Sequence, residues 1–262
     1  MTTSIDGTEA LVKEAKILAS ALEIDYVPRD KKSIGYILQH CSPQVFVVNA
    51  HRGLSFYDQG EQEIFFHPNM ALLRIKQLEQ GFKDSLVTVC GLKPGMRFFD
   101  GTLGLASDAL VAAYAVGPTG VVLGSELSSP LYTLTSYGLA FLSEKHPEWA
   151  QIFERLRLRN VGNLQWLKEL EDNSVDVVYF DFMFEKTLDT SHGIQVVKPI
   201  TVAGSLTKEH IQEAWRVAKY RIVAKSGYSG PALTELGFHV PKANKRKNFY
   251  YGTIEKKEKK DE

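Results

Sequence analysis

Met96-Arg97-Phe98-Phe99-Asp100-Gly101-Thr102-Leu103-Gly104-Leu105-Ala106-Ser107-Asp108 is the stretch on which the fold turns. It reads as a buried strand ending in an acid, a glycine-bearing loop, and a helix starting near Ser107, a good N-cap. The unit recurs downstream. Val121-Val122-Leu123-Gly124-Ser125-Glu126 is a second apolar strand ending in an acid, and Ser129-Pro130 supplies an N-cap with proline at N1. Residues 156–161 give a third strand and 164–170 a short helix. Residues 175–181 are apolar almost throughout, as expected of a strand covered on both faces. Thr207 caps a helix to about residue 218, residues 220–225 form a fifth strand, and 231–236 a short helix. Residues 238–240 and 249–254 close the chain as a hairpin-like pair. This alternation predicts an α/β fold: a Rossmann-like, doubly wound parallel sheet with an antiparallel last strand.

Upstream the pattern differs. Residues 8–22 carry Leu11, Ala15, Leu18 and Leu22 at helical spacing. Short β-rich runs at 45–48, 54–57 and 64–66 are separated by Asn49, Gly53 and Gly60, which suggests a small antiparallel hairpin sheet. Residues 69–80 return to helix, and a shorter helix ends at Cys90-Gly91, where glycine suits a left-handed cap. The expected division is an N-terminal α+β appendage over 1–90, an α/β domain over 91–254, and a charged tail over 255–262.

Composition sets outer limits. The chain has 262 residues, 44% of them apolar, with 31 basic and 31 acidic residues. That excludes a disordered chain and a uniformly basic polyanion coat, so any polyanion must meet local patches. Two cysteines, Cys41 and Cys90, do not make a disulfide framework. The first residues lack a signal-peptide pattern and no run of 18 apolar residues occurs, which reads as cytoplasmic. The histidines have no metal-ligand spacing, and no metal is expected.

In a doubly wound sheet, ligands sit at the carboxyl ends of the strands. Asp100, Glu126 and Asp181 are the terminal acids of three such strands. Three converging carboxylates suit a ligand with hydroxyls, an amine and positive charge better than a pyrophosphate. Gly101 and Gly104 let backbone approach a ligand closely. Strict dinucleotide spacing would want glycine at 101, 103 and 106, and Leu103 and Ala106 stand there instead. Glu126, 26 residues beyond Asp100, is placed to accept ribose hydroxyls. S-adenosylmethionine (SAM) therefore fits better than NAD. Asp181-Phe182-Met183-Phe184 resembles the Asp-Pro-Pro-Tyr motif of amino methyltransferases, in which the acid helps hold an exocyclic amine and the aromatic stacks the base.

These segments together resemble the RsmJ-like family of small-subunit rRNA guanine-N2 methyltransferases, which has a class I SAM methyltransferase fold. The resemblance runs over roughly residues 80–251 and is strongest at 100–109, 126–127 and 177–184. The run Phe66-His67-Pro68-Asn69-Met70-Ala71-Leu72-Leu73-Arg74 looks like a less characterised Gram-positive branch. The resemblance implies that Ser107, Asp108, Glu126 and Leu127 contact SAM, that Gly162 and Asn163 lie near the adenine, and that Asp181 is the motif acid with Phe184 as its aromatic. One departure stands out: Phe182 occupies the position of the family proline, which would fix the turn.

On the substrate side, Lys245 and Arg246 belong to a basic cluster followed by Phe249, Tyr250 and Tyr251, a combination suited to RNA phosphates and stacked bases. His67 and Arg74 are candidates for the substrate mouth, as are Phe182 and Lys225. The leading expectation is a SAM-dependent methyltransferase of an rRNA base amine. A methyltransferase for a small molecule or a protein carboxylate stays open, as does a non-catalytic SAM- or RNA-binding module.

Overall fold

The computed structural model describes residues 1–182, 205–226, 230–241 and 249–256. The main sheet has six strands: β5 (Arg97–Asp100), β6 (Val121–Glu126), β7 (Leu156–Asn160), β8 (Val175–Phe180), β9 (Ala218–Ser226) and β10 (Tyr250–Glu255). Their order is β10-β9-β8-β5-β6-β7, all parallel except β10, which runs antiparallel to β9. The strand order reverses beside β5, between β8 and β6. Side chains alternate as a pleated sheet requires. Phe98, Val122, Val177, Tyr179 and Val223 enter one buried layer. Phe99, Leu123, Val178, Phe180 and Ile222 enter the other.

Helices cover both faces. The first layer is closed by α3 (Asn69–Glu79), α4 (Ser85–Cys90), α5 (Ser107–Ala115) and α7 (Pro147–Phe153), and the second by α8 (Asn163–Glu169) and α9 (Lys208–Val217). Ala71, Ile75, Leu86 and Cys90 share one core with Phe98 and Leu110. So α3 and α4, grouped with the appendage on sequence grounds, pack into the main core.

A second sheet is built from β1 (Thr2–Thr3), β2 (Gln44–Asn49), β3 (Gly53–Asp58) and β4 (Ile64–Phe65), in that order. It rests with α1 (Glu9–Ala21) on Leu131 and Leu134 of α6 (Ser129–Lys145). Two features depart from the sequence reading. The opening Thr2–Thr3 pairs parallel with Val47 and Val48, although two residues are too few to show a period. A short helix α2 (Ile34–His40) occupies part of the region read as β-rich, capped by Ser33, whose side chain accepts from the Tyr36 N–H at 3.0 Å.

Caps shift by one residue at two helices. Ser107 is the first residue of α5, and the cap position is Ala106, held left-handed at φ 59°. The cap of α6 is Ser128, not Ser129. The expected hairpin at 238–240 reduces to a single bridge, His239 to Thr253, because β10 takes the longer edge of β9. Thr207 caps α9 as expected.

Candidate active site

The carboxyl ends of β5, β6 and β8 place Asp100, Glu126 and Asp181 along one rim. Asp100 is buried, and one carboxylate oxygen accepts the Thr102 N–H at 3.0 Å. Burial pushes its pKa up to about 8, against the Thr102 hydrogen bond and with help from the charges of Asp108 and Asp181. Asp100 is therefore largely protonated at neutral pH when folded and ionised when unfolded. Between pH 3.8 and about 8 the folded state binds the extra proton, so stability falls as pH rises through that window. The expected result is that Asp100→Asn gains melting temperature relative to the parent as pH is raised from about 5 to 8. A pH-independent difference between the two would remove this assignment.

The loop after Asp100 is fixed by its own hydrogen bonds. Gly101 donates to the Tyr179 carbonyl at 2.9 Å, and its carbonyl accepts from the Asn163 amide at 2.8 Å. A side chain at Gly101 would meet the Phe180 ring at 2.6 Å. Thr102 joins two strand ends: its hydroxyl oxygen accepts the Asp181 N–H at 2.6 Å. Gly104 N–H donates to Glu126 at 3.0 Å, and the Ser128 N–H donates to the other oxygen at 2.8 Å. Burial raises the Glu126 pKa, opposed by these backbone donors. The Leu127 N–H acts in the same sense, and a carboxylate with about four acceptor sites keeps capacity for a ligand beside these three donors.

Around Glu126 the wall is open. Leu127 is 54% exposed, and a Cβ built on Gly162 would find nothing nearer than Leu127 Cδ1 at 3.8 Å. A Cβ on Gly104 (φ +54°) would meet only the Thr102 carbonyl, at 3.9 Å. A bare-backbone loop, an exposed apolar side chain and a carboxylate with spare acceptor capacity fit a ribose-bearing, phosphate-free ligand such as SAM.

Asp108 and Ser107 open α5. The Asp108 carboxylate is taken up by the protein itself: Arg74 reaches Oδ1 at 2.6 Å, and the Tyr179 hydroxyl and Lys225 reach Oδ2 at 2.7 and 3.3 Å. Burial would raise its pKa, but Lys225 and Arg74 overcome that and hold it below the usual range. Lys225 also reaches Asp181 Oδ2 at 2.7 Å. Phe182 packs inward, its ring 5.7 Å from Phe180 and 5.9 Å from His210. His67 does not join this cluster. It stacks edge-on with Phe65 and lines a separate cavity of about 260 Å³ with Arg52, Phe141 and Trp149. Phe184, Lys245 and Arg246 lie outside the described residues.

Sequence reading missed three members. Asp84 accepts Arg74 in a two-pronged pair at 2.8 and 3.0 Å while capping α4. Its signal was an acid just before a helix start. Tyr179 was a lone hydroxyl in an apolar strand. Thr102, linking Asp100 to Asp181, gave no signal beyond its place in the loop.

Comparison with known proteins points to the same cofactor. The family model described as "Putative SAM-dependent methyltransferase" matches residues 38–251. "Uncharacterized protein YpiP" of Bacillus subtilis (strain 168) is 36% identical over 255 residues, 97% of this chain and 98% of the relative. Ribosomal RNA small subunit methyltransferase J of Marinobacter nauticus is 27% identical over 141 residues, 53% of this chain and 49% of the relative. A crystal structure of a SAM-dependent methyltransferase from Neisseria gonorrhoeae superposes with a TM-score of 0.60 at 16% identity, covering 97% of this chain and 94% of that one, which shows the shared fold. No helix among the described residues is long and apolar enough to cross a membrane. With the family match spanning most of its length, the chain belongs to this family of SAM-dependent methyltransferases.

Proposed function

We propose that this methyltransferase modifies an exocyclic base amine of RNA, of the guanine-N2 type in small-subunit rRNA. The observation that carries the reading is Asp181. It stands at the end of β8 with its backbone tied to Thr102 and its side chain 35% exposed at the rim. A fixed carboxylate there accepts a hydrogen bond from an amine and turns the nitrogen lone pair toward the methyl donor. The likeness to the rRNA methyltransferase of Marinobacter nauticus supports the choice of RNA.

SAM supplies a methyl group on a sulfonium, an electrophile that needs alignment more than acid–base help. In this reading Glu126 takes the ribose hydroxyls, and Gly101 and Gly104 give the cofactor bare backbone to lie against. Leu127, Gly162 and Asn163 border the adenine, with Ser107 at the helix start. A base buried in RNA structure is flipped out to reach Asp181.

The test of substrate class is transfer of labelled methyl from SAM into RNA, protein and metabolite pools of cells lacking the protein. Label in small-subunit rRNA is expected; label confined to protein or metabolites overturns the RNA reading. For the cofactor, Glu126→Ala is expected to weaken SAM binding roughly 100-fold by calorimetry, the loss of two hydrogen bonds to a charged group. An unchanged affinity would move the ribose elsewhere.

A further inference from the structure

Arg74 and Lys225, expected at the substrate mouth, and Asp108, expected at the cofactor, form one chain of ion pairs that ends on Asp181. Asp84 at the start of α4 grips Arg74 of α3. Arg74 holds one oxygen of Asp108, and the other takes both the Tyr179 hydroxyl and the Lys225 ammonium. Lys225, from β9, then holds Asp181 Oδ2 at 2.7 Å. Two cations among three carboxylates leave one net negative charge beside the cofactor site, which complements a sulfonium.

Lys225 is poorly suited to gripping RNA phosphate. Its side chain is 23% exposed, two of its donors are committed to carboxylates, and its ammonium lies 5.5 Å from the Phe249 ring centroid. Asp181 is the group with something left to give. Its N–H is held by Thr102 and its Oδ2 by Lys225, while Oδ1 has no hydrogen-bond partner among the described residues.

We propose that Arg74, Asp108 and Lys225 are positioning residues: the chain keeps Lys225 on Oδ2 of Asp181, so that Oδ1 alone faces the N–H of the acceptor. The proposal rests on the reading of Asp181 as the acceptor-orienting acid. It also narrows the acceptor to a neutral N–H donor, because an anionic carboxylate would meet the lone pairs of Oδ1.

The test compares Lys225→Met, Asp108→Asn and Asp181→Asn with the parent, using an unmodified small-subunit rRNA transcript as acceptor. Lys225→Met is expected to lower kcat roughly 30- to 100-fold, the scale of a misplaced reacting group, with SAM affinity unchanged within about twofold. Asp108→Asn, which keeps its shape and its bond to Tyr179, is expected to lower kcat roughly tenfold with KM for RNA unchanged. The acid limb of the kcat profile should move to higher pH in Lys225→Met. Among the described residues, the titratable groups left facing Asp181 would then be Asp100, Asp108, Tyr179 and Tyr251, none of which favours its charged form. A rise in KM for RNA with kcat intact would make Lys225 a substrate-binding residue and overturn the proposal. So would a lower melting temperature with normal kcat in the folded protein. If Asp181→Asn keeps parental kcat, the reading of Asp181 falls and takes the proposal with it. If Asp181→Asn is inactive while Lys225→Met is fully active, the proposal alone falls.

Discussion

Asp108→Ala is expected to destabilise the fold by about 3–5 kcal/mol, the range seen when one partner of a buried ion pair is removed. Arg74 and Lys225 both lean on this carboxylate, and the Tyr179 hydroxyl donates to it from a fully buried position. Among the described residues, alanine leaves the guanidinium with Asp84, the ammonium with Asp181, and the hydroxyl with no hydrogen-bond partner. For a chain of this size the loss corresponds to roughly 6–20 °C in melting temperature. Against a total stability of about 5–15 kcal/mol, that removes between about a fifth and all of the margin. Asp108→Asn retains two of the hydrogen bonds and should lose less. Urea unfolding reads both; a loss below about 1 kcal/mol for alanine would show that the cations find water instead.

Gly101→Val is expected to remove SAM binding, with affinity down at least about 100-fold. The added Cβ would lie 2.6 and 2.7 Å from ring atoms of Phe180, which is fully buried in the core layer that also holds Phe99 and Leu206, and 3.3 Å from Asn163. Phe180 has no open space to retreat into, so the loop must move, and with it the amide bond from Asn163 and the hold of Thr102 on Asp181. Gly104→Ala is the matched control. Its Cβ meets nothing closer than 3.9 Å, yet the residue sits at φ +54°, so a backbone cost of about 1–2 kcal/mol is expected without a clash. Calorimetry on both variants separates the two effects. Parental affinity in Gly101→Val would place the cofactor away from this loop.

Strands β5, β6 and β8 were legible because they are mostly apolar, of ordinary length and followed by glycine or an acid that closes the run. The acids at the ends of β5, β6 and β8 could be read for the same reason: a charge that closes an apolar run marks where a strand leaves the core. What could not be read was which carboxylates are free. Asp108 and Glu126 look alike in sequence, and only the arrival of Arg74 and Lys225, 34 and 117 residues away, consumes the first. The grouping of α3 and α4 was hidden for a related reason. Their apolar residues fit a local appendage as well as the main core, and pairing across distant sequence decides between them. Ala106 was missed as a cap because alanine rarely takes a left-handed conformation, and here a buried loop imposes it.

The packing of α4 on the main core also sets a schedule for synthesis. The carbonyl of Val89, near the end of α4, is bound by Arg221 of β9 at 2.9 Å, 132 residues further on. Cys90 is buried in the finished layer beside Val223 of the same late strand. At about 5–20 residues per second, a nascent chain waits roughly 7–26 s between making α4 and making the strand that covers it. For that interval α3 and α4 can pack on α5, but α4 and the Cys90 thiol lack the part of their cover that β9 supplies. Once β9 arrives, burial pushes the thiol pKa well above its ordinary value and the residue goes quiet. The window of chemical vulnerability at this cysteine is therefore a property of the ribosome's pace, and it closes with the fold.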